Sequence, residues 1–170
     1  MGYHLCALLA AAGAQLRVAD VRPAAVHRVC EELRATAVPV EEVLAEEVDV
    51  LAPCALGAVL TAQSIPRLRA RIIAGAANNQ LAQGQDGQGL QAAGILYAPD
   101  YVINAGGIIS VSREYHGGAT EEQVIADIQG IPARLTEIFE RARRENRTTN
   151  AVADQMAREL LGGRRHKRVA

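Results

Sequence analysis

The chain has 170 residues, 49% apolar and 22% charged, with a formal net charge of −1 at pH 7. That balance describes a globular chain with length for one domain and a respectable core, and a charge too near zero to draw in nucleic acid or anionic membrane. No apolar run approaches transmembrane length and no signal peptide opens the chain, so neither membrane nor nucleic acid is an expected partner, and the cytoplasm is the default compartment.

Taken in order, Met1 to Ala12 reads as a helix with Leu5, Leu8, Leu9 and Ala12 on one face and Gly13 as its stop. Gln15 to Asp20 alternates like a strand and ends on an acid. A second helix follows Pro23, with Val26, Val29, Cys30 and Leu33 at helical spacing. Ala37 to Val40 is a short strand and Glu41 to Glu47 a short acidic helix. Val48 to Ala52 is a strand closed by Pro53, Thr61 to Leu68 a short helix, and Arg71 to Ala74 a strand ending at Gly75. A Gly- and Gln-rich surface segment, Gln83 to Gly89, leads through a helical turn to an apolar strand, Ile95 to Ala98. Pro99-Asp100 then turns the chain, and Asn104 precedes Ala105-Gly106-Gly107, where the pattern becomes helical. Thr120 to Glu145 is helical, opened by a capping box of Thr120 and Gln123 and kinked or interrupted by Pro132. Thr149 to Leu161 is a last amphipathic helix, and Gly162-Gly163 releases a basic tail, which reads as a nucleic-acid contact or, more simply, a solvated terminus.

Short strands alternating with helices predict an α/β fold, a parallel sheet covered on both faces, in which ligands gather at the carboxyl ends of the strands. Those ends are Asp20, Pro53-Cys54-Ala55, Gly75 to Asn79 and Pro99 to Asn104, all small or polar. In a dinucleotide-binding fold an acid placed like Asp20 accepts hydrogen bonds from the adenosine ribose and repels a 2′-phosphate, although Arg22 offsets that preference; a plain turn residue is the competing reading. Asn78 and Asn79 follow small residues at a strand end, where they suit a nicotinamide ribose and carboxamide. Asn104 carries a donor and an acceptor, which suits a primary amide or an amino acid, with a capping role as the alternative. The adjacent glycines Gly106 and Gly107 let backbone approach a ligand closely. The glycine loop of such a fold belongs about 20 residues before the acid, and only Gly2 stands there. Cys6, Cys30 and Cys54 read as small buried hydrophobes, the four histidines lack metal-ligand spacing, and Lys167 is the only lysine.

The segments GYHLCALL, VADV, VDVLAPCALGA, IIAGAANNQL and GILYAPDYVINAGGIISV, with the closing helices, resemble the cofactor domain of the leucine, valine and phenylalanine dehydrogenases, within the wider glutamate dehydrogenase group. The resemblance implies a Rossmann-like doubly wound sheet lacking its first strand, spanning residues 1–162, with residues 163–170 as tail. It also implies NAD as cofactor, reversible oxidative deamination of a leucine- or valine-type amino acid to a 2-oxo acid and ammonia, and a homo-oligomer in full-length form. By position, Gly2 matches the last glycine of the glycine loop, Asp20 the ribose-binding acid, and Cys54-Ala55 the backbone lining the cofactor. Asn78 matches the asparagine at the nicotinamide ribose, with Asn79 beside it, and Asn104 the asparagine near nicotinamide and substrate. Ile108 and Val111 match apolar positions of the substrate pocket, where burying each methylene contributes about 0.8 kcal/mol.

The resemblance also implies a preceding substrate domain that supplies two lysines and an aspartate, so the chain alone is expected to be inactive. Met1 falls within the family's glycine loop, which suggests a misassigned start or a frameshift. A first strand missing from the middle of the sheet leaves two strands without a partner, from which poor solubility or a partly molten state follows. The alternatives are a stand-alone fragment, non-catalytic, that binds nucleotide or pairs with subunits, and a product without function.

Overall fold

In the computed structural model, residues 1–116 and 120–166 are described. Five two-residue strands form, the most apolar of them at Val50–Leu51 and Ile72–Ile73. Helix α1 (Gly2–Ala11), β1 (Arg17–Val18), α2 (Pro23–Leu33) and β2 (Thr36–Ala37) make up the first part. Then come β3 (Val50–Leu51), β4 (Ile72–Ile73), α3 (Asp86–Ala92) and β5 (Leu96–Tyr97). Five helices close the chain: α4 (Asp100–Ile103), α5 (Gly106–His116), α6 (Glu121–Gln129), α7 (Ile131–Glu145) and α8 (Thr149–His166).

The fold is the expected Rossmann-like α/β type, with every strand pair parallel. The strands fall into two separate sheets, β1-β2 and β3-β4-β5. Among the described residues, β1 pairs with β2 alone and β3 with β4 alone. Arg17 of β1 makes an ion pair with Glu46, which lies just before β3.

The main core lies on the second sheet. Leu51, Leu60, Ile65, Ile73, Leu90, Ile95 and Tyr97 are buried together there, with Leu60 and Ile73 wholly inaccessible. Each such aliphatic side chain contributes about 1.5–3 kcal/mol on burial. A second core joins α7 to α8 through Ile138, Ala142, Val152, Ala153 and Met156. Across it Arg141 forks between Glu145 and Glu159, both at 2.8 Å.

Several elements differ from the sequence reading. The apolar face of α1 finds no core: none of its residues is buried, and Leu8 is 70% exposed. The segments around Glu41–Glu47 and Thr61–Leu68 shrink to 3₁₀ turns at Val43–Ala45 and Ile65–Arg67, since neither is long enough to sustain a helix. The Gln83 to Gly89 segment is not all surface. Helix α3 starts inside it, with Asp86 and Gly87 buried, because Asp86 accepts from the Gln83 N–H (2.8 Å) and Asn150 Nδ2 donates to the Gly84 carbonyl (3.0 Å). The Pro99-Asp100 turn becomes a four-residue helix.

The long helix is interrupted at Gly130, with Pro132 in the first turn of α7, where its missing N–H costs nothing. Thr120 and Gln123 form the expected capping box. Helix α7 ends where Asn146 turns left-handed (φ 50°) and the Arg147 N–H reaches back to the Ala142 carbonyl. Helix α8 passes through Gly162-Gly163 to His166 rather than stopping before them. Residues 167–170, the end of the expected basic tail with Lys167, lie outside the described residues. The three cysteines are free and half-buried, not fully buried, because the α1–α2 layer covers Cys6 and Cys30 only in part.

Candidate functional site

The segments after β3 and β4 are pressed against one another by direct backbone contacts. A side chain on Gly75 would place its Cβ 2.3 Å from the Pro53 carbonyl oxygen, and one on Gly57 would come 2.6 Å from the Asn78 carbonyl oxygen. Only glycine fits at either place. The Ala77 N–H donates to the Pro53 carbonyl (2.8 Å), and the Ala58 N–H to the Asn79 carbonyl (2.6 Å). Asn79 sits in the left-handed region (φ 53°), which asparagine tolerates better than most residues.

Asn104, at the end of α4, reaches across to this loop. Its Nδ2 donates to the Ala76 carbonyl (2.9 Å) and to Asn78 Oδ1 (2.8 Å). The Ala76 carbonyl can only accept, so nitrogen must face it, and the Asn78 atom facing the same nitrogen must be oxygen. Both Asn104 N–H groups are thereby used inward. Among the described residues, no hydrogen bond takes up the remaining acceptor, Asn104 Oδ1, or the remaining donor group, Asn78 Nδ2. Asn104 is half-buried and Asn78 exposed.

Behind them lies a buried polar network. Gln80 is wholly inaccessible, and Asp100 is buried without a cationic partner. Asp100 Oδ2 accepts the Gln80 N–H (3.1 Å), and Oδ1 accepts the Tyr97 hydroxyl (3.0 Å). Burial pushes the Tyr97 phenol well above its ordinary pKa, so it stays a neutral donor. The Gln80 side chain donates to the Gly75 and Ala77 carbonyls at 2.9 and 3.0 Å, while its Oε1 has no partner among the described residues.

Among the other candidate positions, Gly2 opens α1 against Cys54: a Cβ on Gly2 would lie 3.5 Å from Cys54 Cβ. Ala55 is exposed just beyond. Asp20 follows β1, and its carboxylate is engaged by Arg22, from the backbone N–H (2.9 Å) and from Nε (3.2 Å). The guanidinium and that N–H hold the Asp20 carboxyl below the usual carboxylate range. Ile108 and Val111 project from α5 and are 67% and 59% exposed. A Cβ on Gly107 would meet nothing within 4 Å, so the start of α5 is open to approach. Thus the structure joins Asn78 to Asn104 and Gly2 to Cys54, whereas Asp20 pairs with Arg22. The sequence reading gave no role of their own to Gln80, Tyr97, Asp100 and Gly57. The available signal was a Gln after two asparagines and an Asp after a proline, types that pattern alone assigns to loops and turns. Among the described residues, no group of three or more His, Cys, Asp or Glu side chains converges as a metal site, and no helix is long and apolar enough to cross a membrane.

Residues 7–160 match the family Glutamate/Leucine/Phenylalanine/Valine dehydrogenase. The leucine dehydrogenase of Bacillus cereus is 41% identical over 168 residues, covering 99% of this chain and 46% of the relative. The phenylalanine dehydrogenase of Bacillus thermotolerans is 36% identical over 169 residues, 96% of this chain and 44% of the relative. The crystal structure of L-tryptophan dehydrogenase from Nostoc punctiforme superimposes with a TM-score of 0.91 at 43% identity, over 95% of this chain and 49% of that one. The chain therefore spans about half the length of these relatives. It belongs to the Glutamate/Leucine/Phenylalanine/Valine dehydrogenase family.

Proposed function

We propose that this family member is the carboxy-terminal, cofactor-binding part of an NAD-dependent L-amino-acid dehydrogenase, and that the loops after β3, β4 and β5 hold the nicotinamide half of the dinucleotide. The single observation that carries this is the Asn78–Asn104 pair. A primary carboxamide offers a carbonyl acceptor and an amino donor, and the pair keeps one group of each complementary kind, Asn78 Nδ2 and Asn104 Oδ1, outside the bonds it makes inward. Gly57 and Gly75 keep the loops packed tightly beneath, and the open space at Gly107 gives room for a planar ring.

The residues present fit the cofactor. Asp20, with Arg22, would receive the adenosine ribose, and Gly2 and Cys54-Ala55 would line the connecting phosphates. Asn78, Asn79 and Asn104 would receive the nicotinamide riboside. When bound, NAD supplies the acceptor for the hydride removed from the amino-acid α-carbon. The chain's own residues orient the ring and exclude water around it, and Ile108 and Val111 offer an apolar surface for a leucine- or valine-type side chain. One methylene is worth only about 1–3 kcal/mol in such a pocket, so discrimination among branched-chain substrates would be modest. A homo-oligomer and a small-molecule amino acid or 2-oxo acid as partner belong to the same reading.

Oxidative deamination also needs a base of lowered pKa, and the only lysine here is Lys167. These 170 residues should therefore bind NADH without deaminating leucine or valine. NADH fluorescence titration of the purified chain tests the reading: saturable enhancement with no leucine-dependent NAD reduction is expected. A chain that gives no saturable signal with NADH or NADPH would refute it.

A further inference from the structure

The 75–80 loop that carries Asn78 is held from behind by side chains, and Gln80 holds two points of it. Its Nε2 donates to the Gly75 and Ala77 carbonyls at 2.9 and 3.0 Å, on either side of the Ala76 carbonyl that Asn104 holds at 2.9 Å. Three successive carbonyls are thus turned inward by side-chain amides. Gln80 is wholly buried, and its backbone N–H is fixed by the Asp100 carboxylate, which the Tyr97 hydroxyl fixes in turn. Gln80, Asn104 and Asp100 thus hold the loop at four points, the Gly75, Ala76 and Ala77 carbonyls and the Gln80 N–H.

We propose that Gln80, braced by Asp100, is a positioning residue for nicotinamide recognition. It fixes the loop so that Asn78 meets Asn104 with its Oδ1 turned inward and its Nδ2 free. The inference rests on the dinucleotide reading given above, and it adds a residue that touches no cofactor itself. Its consequence is selective: Gln80 acts on the nicotinamide end and leaves the adenosine end alone, where Asp20 follows a strand of the other sheet.

The test compares two ligands on the full 170-residue chain: NADH, and ADP, which lacks the whole nicotinamide riboside. Gln80→Met keeps length and apolar volume but removes both hydrogen bonds. It should raise the Kd for NADH by about tenfold and change that for ADP by less than about twofold. Gln80→Glu keeps the shape but turns an acceptor toward two carbonyls, and should show the same split. If Gln80→Met fails to fold, Asp100→Asn, which keeps shape and one acceptor oxygen, should show the split at smaller size. Equal weakening of both ligands would mean a merely structural role and would overturn the proposal, as would no weakening of NADH.

Hydrogen exchange of the ligand-free chain adds an independent arm. Exchange at the Ala77 N–H, bonded to the Pro53 carbonyl, should accelerate in Gln80→Met, while the Ala74 N–H, bonded to the Leu51 carbonyl, stays protected. Unchanged exchange at Ala77 would overturn the positioning role. A wild-type chain that binds neither ligand would refute the dinucleotide reading itself, and the exchange result would then decide alone whether Gln80 holds the loop.

Discussion

The two sheets are built to different standards. Among residues 1–50, which hold α1, β1, α2 and β2, Val29 is the one buried residue. The second sheet and its helices bury two cores, around Ile73 and around Ile138. The Asp20 end of the site stands on the thin module, and the Asn78–Asn104 end stands on the dense one. A packed core fixes side chains to within tenths of an ångström, whereas a half-exposed layer does not. On the proposed reading, the end that would distinguish a carboxamide by paired hydrogen bonds sits where geometry is held. The end that would need only an acid near ribose hydroxyls sits where it is looser.

The largest effect that would sharpen this contrast is on stability. Ile73→Ala, at an inaccessible position of the central strand of the second sheet, should cost about 2–5 kcal/mol in denaturant unfolding, while Leu8→Ala on exposed α1 should cost less than about 0.5 kcal/mol. Comparable costs at the two sites would break the comparison. Native-state hydrogen exchange should follow the same division. The Thr36 and Val38 amides that pair β1 with β2 should exchange well before those of Ala74 and Ala98 in the second sheet. One shared protection level across both sheets would show that they open together.

Smaller effects concern the adenosine end. Arg22 occupies the acceptor atoms of Asp20, so Arg22→Ala should free the carboxylate for ribose hydroxyls and leave it unopposed against a 2′-phosphate. The ratio of NADPH to NADH affinity should fall by about three- to tenfold, measured by titration at low salt. An unchanged ratio would mean that Arg22 takes no part in cofactor choice.

The smallest effect lies between α7 and α8, where Arg141, then Gln155, depresses the Glu159 carboxyl to about 2. A depressed carboxyl stabilises the fold fully above its unfolded pKa, and that contribution fades as pH falls toward the folded one. The α7–α8 pairing should therefore weaken only between about pH 4.5 and 2. Carboxyl titration by NMR should show Glu159 lagging behind the exposed acids, and Arg141→Ala should raise its pKa toward the ordinary value, short of it by what the Gln155 hydrogen bond still contributes.

The sequence by itself determined the strand and helix order, because aliphatic strand ends closed by Pro53, Gly75 and Pro99 are local signals. It also determined the capping box at Thr120, which needs only residues three apart, and the family motifs around Asn78 and Asn104. Tertiary structure alone decided the rest. Whether α1 would bury its leucines depended on a layer to bury them against, and none of its residues is buried. Gln83 to Gly89 looked like surface until Asn150, more than 60 residues later, closed over Gly84 and Gly87. Asp100 read as a turn residue and Gln80 carried no role of its own, since a carboxylate's role depends on which donors surround it. Those donors, the Gln80 N–H and the Tyr97 hydroxyl, come together only when β4 and β5 pair side by side.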